Sequence, residues 1–165
     1  MGARTNAKRM VVGLAAGTLG AVALPAMAAP AVAGAAGATE HFELVFASQT
    51  APGSIFARGV FTGGGTDFQG NRTDEAVFAD GAFRIVHGGI HPTFTFNQTT
   101  CTGKLRGSGP YRLTAGYGAY AKIKGSGTAH LQGTIATGRN ANGTCNFHDV
   151  TAYSLIVHAS GPVSF

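Results

Sequence analysis

From His41 onward apolar and polar residues alternate with a period of two, and glycines break that alternation every few positions. The runs at 41–47, 55–61, 82–87 and 93–96 combine β-branched and aromatic residues over strand-like lengths, the pattern of half-buried strands. Between them lie Pro52-Gly53, Gly63-Gly64-Gly65, Asp80-Gly81 and Gly88-Gly89, which carry turn chemistry. Asp80-Gly81 joins the run 76–79 to the next with the spacing of a type I′ hairpin. Further runs occupy 105–113, 120–124, 128–137 and 151–159, and only the N-terminal segment shows helical periodicity over ten residues. The chain therefore predicts an all-β domain of about eight short antiparallel strands, either a closed barrel or a two-sheet sandwich. Glycines at 107, 109, 116, 118, 125, 127 and 133 recur through strand-like sequence. Such residues weaken a flat sheet but suit the strongly bent strands of a barrel, so a single eight-stranded antiparallel β-barrel is the expected fold.

The N-terminal segment has a different logic. Arg4, Lys8 and Arg9 precede an uncharged apolar run from Met10 to Leu24, followed by Pro25 and the small-x-small triplet Ala26-Met27-Ala28. A basic start, an apolar core and an A-x-A site make a secretory signal peptide over residues 1–28. The run is shorter than the roughly 20 residues that span a bilayer, so no transmembrane anchor is expected after processing, and the general secretory route leads outside the cell. Residues 29–40 read as a flexible Ala/Gly-rich tail and 41–165 as the barrel domain. The formal charge is +5, but loss of the three leader cations leaves about +2, which removes most of the case for nucleic acid.

Export also sets the chemistry of the two cysteines. Cys101 and Cys145 close a loop of about 45 residues in an oxidising compartment, where paired thiols form a disulfide. No C-x-x-C or C-x-x-H spacing accompanies them, and no metal or other cofactor is expected.

The segment 107–128 has a glycine-rich core, Gly116-x-Gly118-x-Tyr120-Ala121 followed by Gly125-x-Gly127-Thr128. It resembles the hallmark of the allene oxide cyclase barrel-like group, which includes the plant dirigent proteins. Small secreted actinobacterial proteins carry similar segments, with a turn like Phe78 to Gly81, a cysteine pair like Cys101 and Cys145, and a closing run like Ala159 to Ser164. The resemblance covers most of 41–165 and implies an eight-stranded barrel. It assigns no catalytic residue to any position in this chain. The glycines Gly116, Gly118, Gly125 and Gly127 are expected to include sites where positive φ or close strand approach excludes a side chain.

Other chemistry-bearing residues divide into weak and stronger candidates. His87-Gly-Gly-Ile-His91 has the helical spacing of a zinc pair, but its glycines predict a turn flanked by exposed histidines. His148-Asp149 point to opposite faces of a strand, and no Gly-x-Ser-x-Gly or His-Glu-x-x-His signature occurs. Asn71, Asn97 and Asn142 begin N-x-T triplets that read as turn chemistry. His130, Gln132 and Thr134 form one polar stripe opposite Leu131, Gly133 and Ile135; it is either a solvent face or, turned inward, a ligand contact. Residues 81–148 hold seven cations and no acid. Lys104 with Arg106, and Lys122 with Lys124, each share a strand face and form a basic patch if their strands adjoin.

Two functions follow as expectations. The first is a secreted, non-catalytic barrel that binds a small apolar or amphipathic ligand or acts in the cell envelope, where a basic patch would meet an anionic polymer. The second is a cyclase-like or dirigent-like protein that steers a reactive small molecule. A dry aromatic interior favours the first, and an open cavity with buried polar groups the second. The sequence assigns no oligomeric state.

Overall fold

A computed structural model describes residues 37–165; the signal peptide and most of the 29–40 tail lie outside the described residues. Nine strands follow one another: β1 Thr39–Phe46, β2 Gly53–Arg58, β3 Thr62–Phe68, β4 Thr73–Phe78, β5 Gly81–Val86, β6 Thr93–Asn97, β7 Thr102–Gly118, β8 Lys124–Arg139 and β9 Cys145–Ser164. Their order is β5-β4-β3-β2-β1-β9-β8-β7, all antiparallel, and pairing of β5 with β7 closes the ring. The fold is an eight-stranded antiparallel barrel with β6 added to the outside of β7. No helix occurs among the described residues.

Strand length explains the shape. β1 to β5 have six to eight residues, whereas β7, β8 and β9 have 17, 16 and 20. Phe46 at the end of β1 pairs with Leu155, and Val86 at the end of β5 pairs with Arg112. The earlier part of β7, the later part of β8 and the first ten residues of β9 therefore run past the rim. With β6 they form a four-stranded hood over one mouth. Its lowest row runs from Phe94 through Leu105 and Gly133 to Leu155 at the rim, and the rings of Phe96 and Phe147 higher up lie 4.6 Å apart. The disulfide Cys101–Cys145 ties the β6–β7 turn to the first residue of β9.

The opposite end is plugged. Phe61 from the β2–β3 turn and Tyr120 from the β7–β8 turn meet Phe78 and Phe83, and Phe165 at the C-terminus meets Phe61 and Tyr120, with ring centroids 5.4 to 6.3 Å apart. Such edge and offset contacts add about 0.5–1.5 kcal/mol each beyond area burial. Three chain segments that carry no ladder of their own thus seal this end with rings.

Several local expectations need correction. Residues 63–65 are strand, not turn: the space beside Gly63 and Gly64 is filled by the rings of Phe78 and Phe56. The β4–β5 turn falls on Ala79-Asp80, neither with positive φ, and the left-handed residue is Gly81 at its exit. Residues 120–123 form a compact turn, with Tyr120 N donating to Tyr117 O and Ile123 N to Tyr120 O. The domain also begins before residue 41, since β1 starts at Thr39, Glu40 is fully buried, and Val163 N donates to Ala38 O. Asn97 and Asn142 act as turn acceptors, for Thr99 N and Thr144 N.

Gly118 has φ +63 and ends β7; a Cβ there would collide with Asp80 O and lie 2.9 Å from Gly81 Cα. At Gly127 the excluding atom is Ser160 O on the adjoining β9. Gly118→Val is expected to cost about 3 kcal/mol or more, because a β-branched residue is both strained at this φ and blocked by backbone. Gly88→Val, at an exposed glycine with open space beside it, serves as the control in urea melts. Equal midpoints for the two variants would refute the geometric reading.

Candidate functional site: the barrel lumen

Strand alternation decides which side chains enter the barrel. Phe42, Leu44 and Phe46 of β1, Tyr111 of β7, Ala129 and Leu131 of β8, and Leu155, Val157 and Ala159 of β9 point inward and are joined by Ile85 of β5. Together they wall a cavity of about 480 Å³ beneath the hood. Gln49, Gln69 and Asn71 from the connecting turns stand at its mouth. A space of this size, mostly apolar with few polar groups, is that of a small-molecule site.

The polar groups of the interior are concentrated on β3, β4 and the residue after β5. Asp67 pairs with Ala76, Asp74 with Ile85, and His87 N donates to Arg72 O. The side chains of Asp67, Asp74 and His87 therefore run diagonally over three neighbouring strands. Asp74 Oδ1 accepts from Gly70 N at 2.8 Å and lies 3.0 Å from His87 Nε2. That hydrogen bond holds the imidazole pKa above its ordinary value against the opposing effect of burial. Asp67 is fully buried, and neither of its carboxylate oxygens has a hydrogen-bond partner. Burial, with a smaller push from the Asp74 charge, raises its pKa from 3.8 to about 7.

Tyr111 is the second orphan. Its hydroxyl is buried without a partner, and burial together with the Glu40 charge pushes its pKa up to about 12. The hydroxyl thus stays protonated, while the Tyr111 side chain forms part of the cavity wall. Glu40, by contrast, is occupied: its two oxygens accept from His41 N and Phe61 N. Burial still raises its pKa, with these bonds opposing.

The residues singled out in the sequence take other places. His130, Gln132 and Thr134 are exposed on the outer face, so the inward alternative for this stripe is overturned; their neighbours Ala129 and Leu131 are the ones that face the lumen. His130 stands opposite His158. Lys104 and Arg106 lie in the hood, whereas Lys122 is in the β7–β8 turn and Lys124 starts β8. Lys104 pairs with Thr134, ten positions along β8 from Lys124, or about 33 Å at strand rise, so the two pairs form no common patch. Cys101 and Cys145 form their bridge outside the barrel. Gly116, Gly118, Gly125 and Gly127 surround the plugged end, away from the lumen.

His87 was expected to be exposed, but it turns inward to Asp74, leaving His91 exposed. Asp67, Asp74 and Tyr111 were absent from the candidates. Their signal was the parity of the strands: Asp74 shares a face with Ala76 and Phe78, and Tyr111 with Leu113. Among the described residues, no three His, Cys, Asp or Glu side chains converge closely enough to hold a metal ion. Comparison with protein-family models, curated proteins and solved structures found no significant match.

Proposed function

We propose that the exported protein binds a small apolar or amphipathic molecule in its lumen and performs no chemistry on it. The observation that carries this reading is the cavity of about 480 Å³, walled by Phe and Leu side chains and open beneath an apolar hood. Displacing water from such a wall supplies roughly 25 cal/mol per Å² of apolar surface, and the Asp74–His87 pair on one side of the wall orients the guest. The unplugged mouth gives entry, while the aromatic plug makes the other end a floor.

An uncharged naphthyl probe is expected to bind saturably, with enhanced emission, and to stay bound when salt is raised, because salt screens exposed charges far more than buried apolar contacts. Leu131→Trp, which fills the lumen from a half-buried wall position, is expected to abolish most of this binding. Persistence of binding in that variant would sink the lumen as the site. Salt-sensitive capture of an anionic polymer, without probe binding, would transfer the function to the separate basic pairs of the outer face.

A second reading, steering of a reactive intermediate in the manner of cyclases and dirigent proteins, is favoured by one observation. The lumen is not a dry aromatic interior, since Asp74, His87 and Tyr111 bring titratable side chains into its wall. Turnover of an added substrate, lost in Asp74→Asn or His87→Gln, separates this reading from simple binding.

A further inference from the structure

We propose that the guest is an uncharged amide or ester with two apolar arms: the larger arm fills the lumen, the smaller lies in a cleft on the inner face of the hood, and Gln49 binds the linkage between them. This rests on the reading of the lumen as a binding site and goes beyond it by adding a second subsite and naming the chemistry of the guest.

Strand parity places the cleft. Phe94 of β6, Leu105 of β7, Gly133 and Ile135 of β8 and Tyr153 of β9 share one face of the hood with Leu131 and Leu155 of the lumen wall. With Gln49 they line a space of about 230 Å³, half the volume of the lumen. Gly133 adds no side chain to that wall, and Leu155, directly opposite it on β9, leans across the bare backbone, its Cδ1 3.2 Å from where a Cβ would stand. The row Leu155, Gly133, Leu105, Phe94 thus leads from the lumen into the cleft over three strand spacings, about 14 Å.

One side chain borders both spaces. Gln49, in the β1–β2 turn, lines the lumen mouth and the cleft alike and is exposed. The turn that carries it is braced by its neighbour Ser48, whose hydroxyl accepts from Thr50 N at 3.2 Å and from Ala51 N at 3.3 Å. That leaves the Gln49 amide free at the junction, with a carbonyl oxygen to accept and two N–H groups to donate.

Charge decides what the junction takes. No charged residue lines the cleft, and the two that line the lumen, Asp74 and His87, already pair with each other at 3.0 Å. An ionic linkage would therefore leave water without a countercharge, a costly transfer. A plain hydrocarbon would strip water from the Gln49 amide and return no hydrogen bond. An uncharged carbonyl linkage avoids both penalties: its oxygen accepts from Gln49, and an amide N–H also donates to it.

The test uses the mature protein at pH 7 and three fluorescent ligands: N-hexyl-1-naphthaleneacetamide, its N-methyl analogue, and N-hexyl-2-(1-naphthyl)ethylamine, in which a cationic amine replaces the amide. The hexyl amide is expected to bind at least about tenfold more tightly than the methyl amide, since burying even two of its additional methylenes gives about three- to fourfold each. The amine should bind more weakly than the hexyl amide. Phe94→Ser, at a half-exposed wall position of the cleft, should remove most of the hexyl gain and leave the methyl amide unchanged. Gln49→Glu, at an exposed turn position, should supply the missing countercharge and reverse the order of hexyl amide and amine. No hexyl gain, or a gain that survives Phe94→Ser, overturns the cleft while the methyl amide still reports the lumen. An amine bound as tightly as the hexyl amide by the wild type, or an order unmoved by Gln49→Glu, overturns the role of Gln49. Failure of all three ligands to bind overturns the lumen reading as well.

Discussion

Asp67→Asn is expected to stabilise the barrel at pH 8 by several kcal/mol and to change its stability little at pH 4. The folded chain holds the Asp67 carboxyl at about 7, against an ordinary 3.8, because burial penalises the ionised form. A carboxyl whose folded value is raised binds its proton more tightly in the native state than in the unfolded one. Between about pH 4 and pH 7 the native state keeps the proton while the unfolded state releases it, so stability falls as pH rises through this window. Above it the loss is complete, at about 4 kcal/mol for a gap of this size. Asparagine has the same shape and cannot ionise, which removes the dependence but keeps the desolvation cost of an amide at every pH. The raised His87 value acts in the same direction, its stabilisation being present below the ordinary value of 6.5 and lost as pH rises through the folded one. The raised Glu40 value does so as well, so a smaller slope should survive in the variant. Urea denaturation at pH 4, 6 and 8 measures all of this. A wild-type protein as stable at pH 8 as at pH 4, with no gain from Asp67→Asn, would show that Asp67 is solvated or paired.

A buried acid with no partner is poor design for stability alone. Sites of this kind, where local rules are broken and the cost is carried by the rest of the fold, mark function more often than error. The rest here is substantial: a ring of eight hydrogen-bonded strands closed by β5–β7 pairing and floored by a cluster of aromatic rings.

The barrel was legible because period-two alternation and recurring glycines leave few other ways to bury one face of so many short strands. The hood was not. Its strands are continuous with those of the barrel, and nothing in residues 102–118 marks where β7 leaves the ring; that point is set by its shorter partner β5, as β1 sets it for β9. The glycines of 63–65 hid the site most effectively. Read as a turn, they break the phase of β3, so Asp67 cannot be assigned to a face. Read as strand, Gly63, Gly65 and Asp67 share the inner one. The stripe His130, Gln132 and Thr134 shows the converse, since polarity marked it and the same polarity keeps it in solvent.

Reduction of Cys101–Cys145, or replacement of both cysteines by serine, is expected to cost about 4 kcal/mol, the loop-entropy value for a separation of 44 residues. The position of the bridge says where the loss should appear. The enclosed loop is the β7–β8 hairpin, and the bridge fastens its free corner to the start of β9, beyond the last residue that β1 reaches. Strands β1 to β5 pair among themselves and close on the lower part of β7 without it. Hydrogen exchange in the reduced protein should therefore accelerate first in β6, in the hood part of β7 and in residues 145–154, with β1 to β5 following only at the global limit. The ligand response should divide in the same way. A guest contained within the lumen keeps its wall of Phe42, Leu44 and Leu131, whereas one long enough to lie on the hood loses the ordered rings of Phe96 and Phe147. A naphthyl ligand with a short tether should then bind oxidised and reduced protein alike, and one with a long alkyl extension should bind the reduced form more weakly. Uniform acceleration of exchange over all strands would instead place the bridge in the cooperative core, and equal loss for both ligands would separate the hood from binding.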